Sequence, residues 1–480
     1  MTPPRFPLMV PGATTSARDL EVRAPFDGTP IGSAAAADRG VVDVALANAT
    51  RLFKDRGAWI AAHRRVEILE NAARIVASRA EALAVAAARE GGKPLVDSRV
   101  EVARAVDGLK LCVETLRTQS GREVPMGLTS ASAGRAAFTR LEPIGVVAAV
   151  SAFNHPLNLI VHQAATAVAA GCPVVVKPAE EVPLTCLRFV EILREAGLPD
   201  AWCQPIATND RDVAQALATD PRVAYLTFIG SAAVGWTLRS KLAPGTRCAL
   251  EHGGAAPVIV AADADLDVAA GKLVKGGFYH AGQVCVSVQR VFAARSIAEE
   301  LAERLASAAS RLVVGDPTDP KTEVGPIIRR RDIDRIAEWV EEARASGARI
   351  ATGGRRVGET CYAPTVIVDP PDMARVSRLE VFGPVVCVFA FDDLGDAVAR
   401  ANALPFSFQA AVFTRNIDTA LRAFRHLEAS AVMVNDHTAF RVDWMPFAGL
   451  RESGLGVGGI PHAMREMQVE KMLVLNSPSL

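Results

Sequence analysis

Apolar positions along this chain fall into two alternating patterns. Between Arg64 and Glu90, Val66, Leu69, Ala73, Val76, Ala80 and Leu83 recur on one stripe at helical spacing, which predicts an amphipathic helix. Gly91-Gly92-Lys93-Pro94 follows, where a glycine can close the helix and the proline prevents its continuation. Val146 to Ala152, Pro173 to Lys177 and Val223 to Ile229 are short apolar runs without alternation, as expected of strands covered on both faces. With helices between them, they predict a nucleotide-type βαβ series over roughly 144–250.

A second series begins at Pro257: strand Pro257 to Ala261, helix Asp265 to Tyr279 and strand Val288 to Ala294. Helices Ile297 to Leu312 and Asp332 to Ser346 continue it, and Val385 to Phe391 reads as a further strand. The chain is therefore read as α/β, built on mostly parallel sheets, with a domain boundary just after Glu251. Ser130 to Leu141 and Lys471 to Leu475 read as exposed strands with edges to protect.

Length supports this division, since 480 residues exceed one ordinary core and suggest two or three domains. Acidic and basic residues cancel, 53 against 53, which removes any electrostatic case for nucleic acid or membrane binding. No apolar run reaches bilayer length, and the segment from Met1 to Pro7 lacks the pattern of a secretory signal. Cys112, Cys172, Cys186, Cys203, Cys248, Cys285, Cys361 and Cys387 are scattered without paired spacing. They predict reduced thiols in a cytoplasm and offer neither a disulfide framework nor a metal cluster.

One cysteine stands apart. In Phe278-Tyr-His-Ala-Gly-Gln-Val-Cys285, the thiol leaves a glycine-bearing segment just before a β-rich run. Backbone N–H groups turned toward it would lower its pKa and stabilise an oxyanion beside it. Leu250-Glu251-His-Gly-Gly-Ala-Ala-Pro257 places a carboxylate before a glycine pair, and a thiol with a carboxylate is the combination that thioester chemistry requires.

These two segments resemble the aldehyde dehydrogenase superfamily. Phe278, Gly282, Gln283, Cys285 and Arg290 fill every fixed position of its cysteine motif, and Leu250, Glu251, Gly253, Gly254 and Pro257 match its general-base motif. His252 and Ala255 depart from that second motif. The resemblance runs from about Ala24 to the C-terminus. It implies an NAD-binding domain (residues 1–125 and 144–252), a catalytic domain (253–464), and a small sheet from 126–143 and 465–480 that mediates homodimer or homotetramer formation.

The resemblance further implies that Cys285 attacks an aldehyde to give a thiohemiacetal and then a thioester, which water activated by Glu251 hydrolyses. Coenzyme A-acylating relatives generally lack that glutamate, so a free acid is the expected product. A family member recruited as a binding protein would be expected to lose Cys285 or Glu251, and both are present. Asn154 fits the oxyanion-binding position, although by itself it reads as a turn residue.

For the cofactor there is no Gly-x-Gly-x-x-Gly; Phe228-Ile-Gly230-Ser231 stands in its place. Gly230 would turn the chain sharply, and Ser231 would cap the next helix and meet a pyrophosphate, the alternative being a plain capped turn. Lys177 and Glu180 correspond to the family's adenosine-ribose residues, and Glu180 favours NAD over NADP without excluding NADP. As a surface ion pair alone they would mean little. Glu380 and Phe382 of Glu-x-Phe-Gly-Pro are implied at the nicotinamide.

His252 is read as structural, facing away from Glu251. The Arg441-x-Asp443-x-Met-Pro spacing resembles the branch of lactaldehyde and phosphorylated-glyceraldehyde dehydrogenases, which implies a small, hydroxylated aldehyde. Val284, before the cysteine, carries no charge for a phosphate, which predicts a non-phosphorylated one. Arg104 and Arg441 are candidate anion contacts, with solvated surface arginines as the alternative reading.

Overall fold

The apolar runs do become covered strands, and two sheets form around them. The computed structural model describes residues 3–14 and 18–480. Its first large sheet has six strands in the order Gly454–Leu455, Arg247–Glu251, Val223–Ile229, Val146–Val150, Val174–Lys177 and Cys203–Pro205. All neighbours are parallel except the first pair. Val146, Val147, Ala148 and Ala149 are almost fully buried because helices cover both faces of this strand.

The second large sheet has seven strands: Arg349–Thr352, Thr365–Val368, Val385–Phe391, Val288–Ala294, Ala256–Val260, Gln409–Phe413 and Ala431–Val434. Here too only the first pair is antiparallel. Its core is separate, built on Val258, Leu273, Val288, Val366, Val386 and Val412. A third sheet pairs Gln468–Asn476 along Arg135–Pro143, with Glu123–Val124 on the other side. Phe138, Met472, Leu473, Val474 and Leu475 are exposed on it.

Several elements differ from their expected bounds. The helix expected over 64–90 is two helices, Ala62–Ser78 and Ala80–Gly91. The break lies at Arg79, whose N–H closes the first helix on the carbonyls of Ile75, Val76 and Ala77. Gly92 ends the second with φ near +73°, the left-handed cap its sequence anticipates. Residues Ser130–Ser132 form a 3₁₀ turn before Arg135–Pro143, so the exposed strand is shorter at its start than expected.

The chain also recrosses the proposed boundary. Gly454–Leu455 pairs with Leu250–Glu251 of the first sheet, and Ile460, Met464 and Met467 enter the first core. A span ending at 464 therefore does not coincide with the second core.

Lys93, read from sequence only as part of a helix stop, is wholly buried beside Glu101 at 2.5 Å. Burial pulls the Lys93 pKa down and Glu101 pushes it back up. The other Glu101 oxygen accepts the backbone N–H groups of Leu157 and Asn158 at 2.8 and 3.0 Å. One carboxylate thus holds the start of the helix that follows the Asn154 loop. Glu101→Gln leaves the Lys93 charge without its counter-ion, and the expected loss is about 3–5 kcal/mol. A chemical denaturation midpoint checks this, and an unchanged midpoint would contradict it.

Candidate active site

Ligands bind at the C-terminal ends of parallel strands, and here those ends face the second sheet. Lys177, Gly230 and Glu251 end or directly follow three strands of the first sheet, while Asn154 lies four residues past a fourth. Cys285 and Glu380 approach from the opposite side, on segments leading into Val288–Ala294 and Val385–Phe391. Together with Glu180, Ser231, Phe382, Arg104 and Arg441, they line one cavity of roughly 840 Å³. Every candidate residue reaches the same space.

The cysteine loop is held by its own glutamine. Gln283 donates to the carbonyls of His280 and Pro326 at 3.3 and 3.2 Å, and accepts from the Ile328 N–H at 3.0 Å. Gly282 has φ near +68°, and a Cβ there would lie 2.1 Å from the Gly383 carbonyl oxygen, so only glycine fits. Asn154 Nδ2 donates to the Gln283 carbonyl at 3.0 Å, and His155 hydrogen-bonds Tyr279. These contacts tie the Asn154 loop to the cysteine loop. An amide nitrogen carries two N–H groups, so Asn154 keeps one for a ligand.

Glu251 sits at the end of its strand in a space that Gly458 leaves open. A Cβ at Gly458 would lie 2.2 Å from Glu251 Oε1, a constraint no nearby sequence signal reveals. Burial raises the Glu251 pKa above the ordinary carboxylate value, and Arg441 draws it partly back. Burial also pushes the Cys285 thiol up to about 12, while Arg441 lowers it and Glu251 and Glu380 raise it. A backbone N–H does lower this pKa, as expected, but the net shift is upward. Removing the thiolate from water outweighs every favourable interaction around it.

The dinucleotide end tests whether this chain's residues suit such a cofactor. Ser231 stands at the N-cap of Ala232–Ser240 but makes no side-chain cap bond, contrary to expectation. Its hydroxyl and the first-turn N–H groups are left for an anion. Lys177 is half-buried at the cavity wall, where desolvation pulls its pKa down, with Glu180 opposing. Glu180 lies 3.6 Å from Arg329, which dilutes the charge argument for NAD over NADP. Glu380 accepts the Gly254 N–H at 3.1 Å, and Phe382 meets Phe153 edge-on at 5.9 Å. A dinucleotide fits this arrangement.

His252, read from sequence as structural, packs between two segments that sequence could not name. Its Nδ1 lies 2.9 Å from the Gly230 carbonyl oxygen, and its ring packs against Phe228 and Trp236 where a Cβ on Gly235 would otherwise stand. It braces the Gly230–Ser231 turn against the strand carrying Glu251.

The two arginines are not solvated surface groups. Arg104 holds Asp443 with both arms of its fork, at 3.0 and 2.6 Å. Asp443 also takes His162 Nε2 at 2.8 Å and Asn158 Nδ2 at 3.2 Å. Burial alone would raise the Asp443 pKa, yet His162 and Arg104 hold it well below the usual carboxylate range. His162 lies in a π-helical bulge, Val161–Ala165, a local irregularity that apolar spacing does not signal.

Comparison with known proteins agrees with this geometry. Residues 13–473 match the model of the aldehyde dehydrogenase family. The chain belongs to that family. It is 37% identical over 462 residues to a 3-sulfolactaldehyde dehydrogenase from Priestia aryabhattai, covering 96% of each chain. The solved structure of aldehyde dehydrogenase 21 from Physcomitrella patens, with the reaction product succinate, superposes with a TM-score of 0.95 at 33% identity and full coverage of both chains. A glyceraldehyde-3-phosphate dehydrogenase GapN from Methanocaldococcus jannaschii, complexed with NADP, gives 0.91 at 32% identity, covering 96% of this chain and 100% of that one. This chain is thus an NAD(P)-dependent aldehyde dehydrogenase.

A thiol raised to about 12 should alkylate slowly at neutral pH. Iodoacetamide labelling of Cys285 is expected to quicken about tenfold per pH unit from 7 to 10, where an ordinary thiol of pKa about 8.5 would level off near 9. A plateau near pH 9 would contradict the burial argument.

Proposed function

We propose that this enzyme oxidises a small aldehyde to the free acid, with Cys285 as nucleophile, Glu251 as base and NAD as the hydride acceptor. The observation that carries this reading is the convergence of Cys285, Glu251 and Asn154 on one cavity from opposite sheets. Cys285 Sγ attacks the carbonyl carbon, forming a C–S bond, and the carbonyl oxygen takes the electron pair. The free Asn154 N–H and the Cys285 backbone N–H are the donors assigned to that oxygen, each worth about 3–4 kcal/mol in such a hole. The thiol, held protonated at rest, gives up its proton to solvent as the C–S bond forms, which leaves Glu251 free as the base of the second half-reaction.

A bound nicotinamide supplies the acceptor for the hydride leaving the substrate carbon. Ser231 and the first turn of Ala232–Ser240 are assigned to the pyrophosphate, Lys177 and Glu180 to the adenosine ribose, and Glu380 with Phe382 to the nicotinamide end. Glu251 then takes a proton from water, whose oxygen attacks the thioester carbon; the C–S bond breaks and the sulfur leaves with its electron pair. The product is a carboxylic acid.

Val284, uncharged and buried at the cavity wall, supports a non-phosphorylated substrate, and the sulfolactaldehyde-named relative is consistent with a hydroxylated one. Eight free thiols suit a reducing cytoplasm. Self-association is assigned to the third sheet, whose exposed apolar edge strand Gln468–Asn476 invites a second copy as homodimer or homotetramer.

The test separates the two half-reactions. Cys285→Ala is expected to abolish NADH formation from every aldehyde. Glu251→Gln is expected to release one equivalent of NADH per site rapidly and then slow by about 10²–10⁴-fold, the usual worth of a general base. Because the Glu251 pKa is raised, steady-state turnover should fall on acidification at a higher pH than an ordinary carboxylate would give. Full multiple turnover by Glu251→Gln would remove it from the mechanism.

A further inference from the structure

An ion pair crosses the dinucleotide part of the cavity from one core to the other. Glu180 and Glu181 follow the strand Val174–Lys177 of the first sheet, and Arg329 stands just before the helix Arg330–Ala345, which packs in the second core. Arg329 is paired with Glu181, and one of its arms lies 3.6 Å from Glu180 Oε1, beyond hydrogen-bond reach. On its other side, Arg329 Cζ lies 5.9 Å from the centre of the Phe153 ring, which meets Phe382 edge-on. Arg329, Glu180, Glu181, Phe153 and Phe382 all line the cavity. The pair therefore stands between the residues assigned to the adenosine ribose and those assigned to the nicotinamide.

The backbone is pinned on both sides of it. The Ile328 N–H donates to Gln283 Oε1 at 3.0 Å, and Glu90 accepts the N–H groups of Leu184 and Thr185 at 2.5 and 2.9 Å. Only the two side chains are free to part. They keep 32% and 15% of their surface exposed, so the pair is neither fully solvated nor locked inside a core. Glu181 Oε2 is buried with no hydrogen-bond partner among the described residues. Burial raises the Glu181 pKa and Arg329 draws it back, so this carboxylate depends on the arginine across the crevice. Glu180 is left with its oxygens free for ribose hydroxyls. We infer that Arg329 and Glu181 form a gate across the dinucleotide cavity, which parts to admit and to release the cofactor.

A gate and a ligand contact differ in their kinetics. Side chains at a surface part and rejoin within about nanoseconds, far faster than a dinucleotide leaves its site. Such a gate scales entry and exit alike, by the fraction of time it stands open, and leaves their ratio unchanged. A group that touches the cofactor acts on exit instead, since differences in affinity appear mainly in dissociation.

This inference rests on the dinucleotide assignments above, so its test reads binding alone. Stopped-flow fluorescence is measured with NADH and NADPH, following whichever binds the native protein more tightly. Arg329→Met and Glu181→Gln are each expected to raise the association and dissociation rate constants together by about fivefold, as a partly exposed ion pair provides. The dissociation constant should stay within about twofold of the native value. At about 1 M salt, the gap between native and variant rates should shrink as screening weakens the pair. Exchanging the charges, with Glu181→Arg and Arg329→Glu in one chain, should restore slow entry and exit. Faster dissociation alone in Arg329→Met would make Arg329 a cofactor contact and overturn the gate. Native rates in both single variants would overturn the gate and leave the cofactor assignments standing. Failure of both dinucleotides to bind the native protein would overturn the assignments and the gate together.

Discussion

The hydrogen bond from Asn154 Nδ2 to the Gln283 carbonyl joins the two halves of the site. Asn154 belongs to a loop leaving the first sheet, and Gln283 holds the loop that carries Cys285 toward the second. His155 and Tyr279 reinforce that link between loops that belong to separate cores. The Asn154 bond also fixes the planar amide, and with it the direction of its second N–H. Glu101 supports the same loop from behind by taking the N–H groups of Leu157 and Asn158, and Lys93 neutralises Glu101.

Burial then decides the electrostatics. It raises Cys285 and Glu251 together, so the thiol stays protonated and the carboxylate becomes a stronger base than in water. Arg441 opposes both shifts, through its charge and without a hydrogen bond to either group. Asp443 is committed to Arg104, His162 and Asn158.

What could be read from sequence was whatever depends on neighbours along the chain. The strands Val223–Ile229, Val288–Ala294 and Val385–Phe391 have the bounds their apolar runs predict, because a strand covered on both faces needs no polar alternation. The catalytic motifs are local too: Gly282 beside Gln283 and Cys285, and Glu251 before Gly253 and Gly254. Contacts between distant segments were not readable. Lys93 looks like an ordinary surface cation until packing buries it, Arg441 until packing covers its Nε, and Gly458 matters because Glu251 lies against it. Ser231 sits where a capping serine belongs, yet its side chain makes no cap bond. The return of residues 454–467 to the first core likewise depends on pairing with Leu250 and Glu251, far away in sequence.

The most direct test of the account is intact-protein mass spectrometry of Glu251→Gln, quenched in acid after one turnover with NAD and a small aldehyde. The account predicts an added mass equal to the acyl group, and peptide mapping that places it on Cys285. No adduct, or an adduct on any of the other seven cysteines, would contradict a thioester at Cys285 released by Glu251.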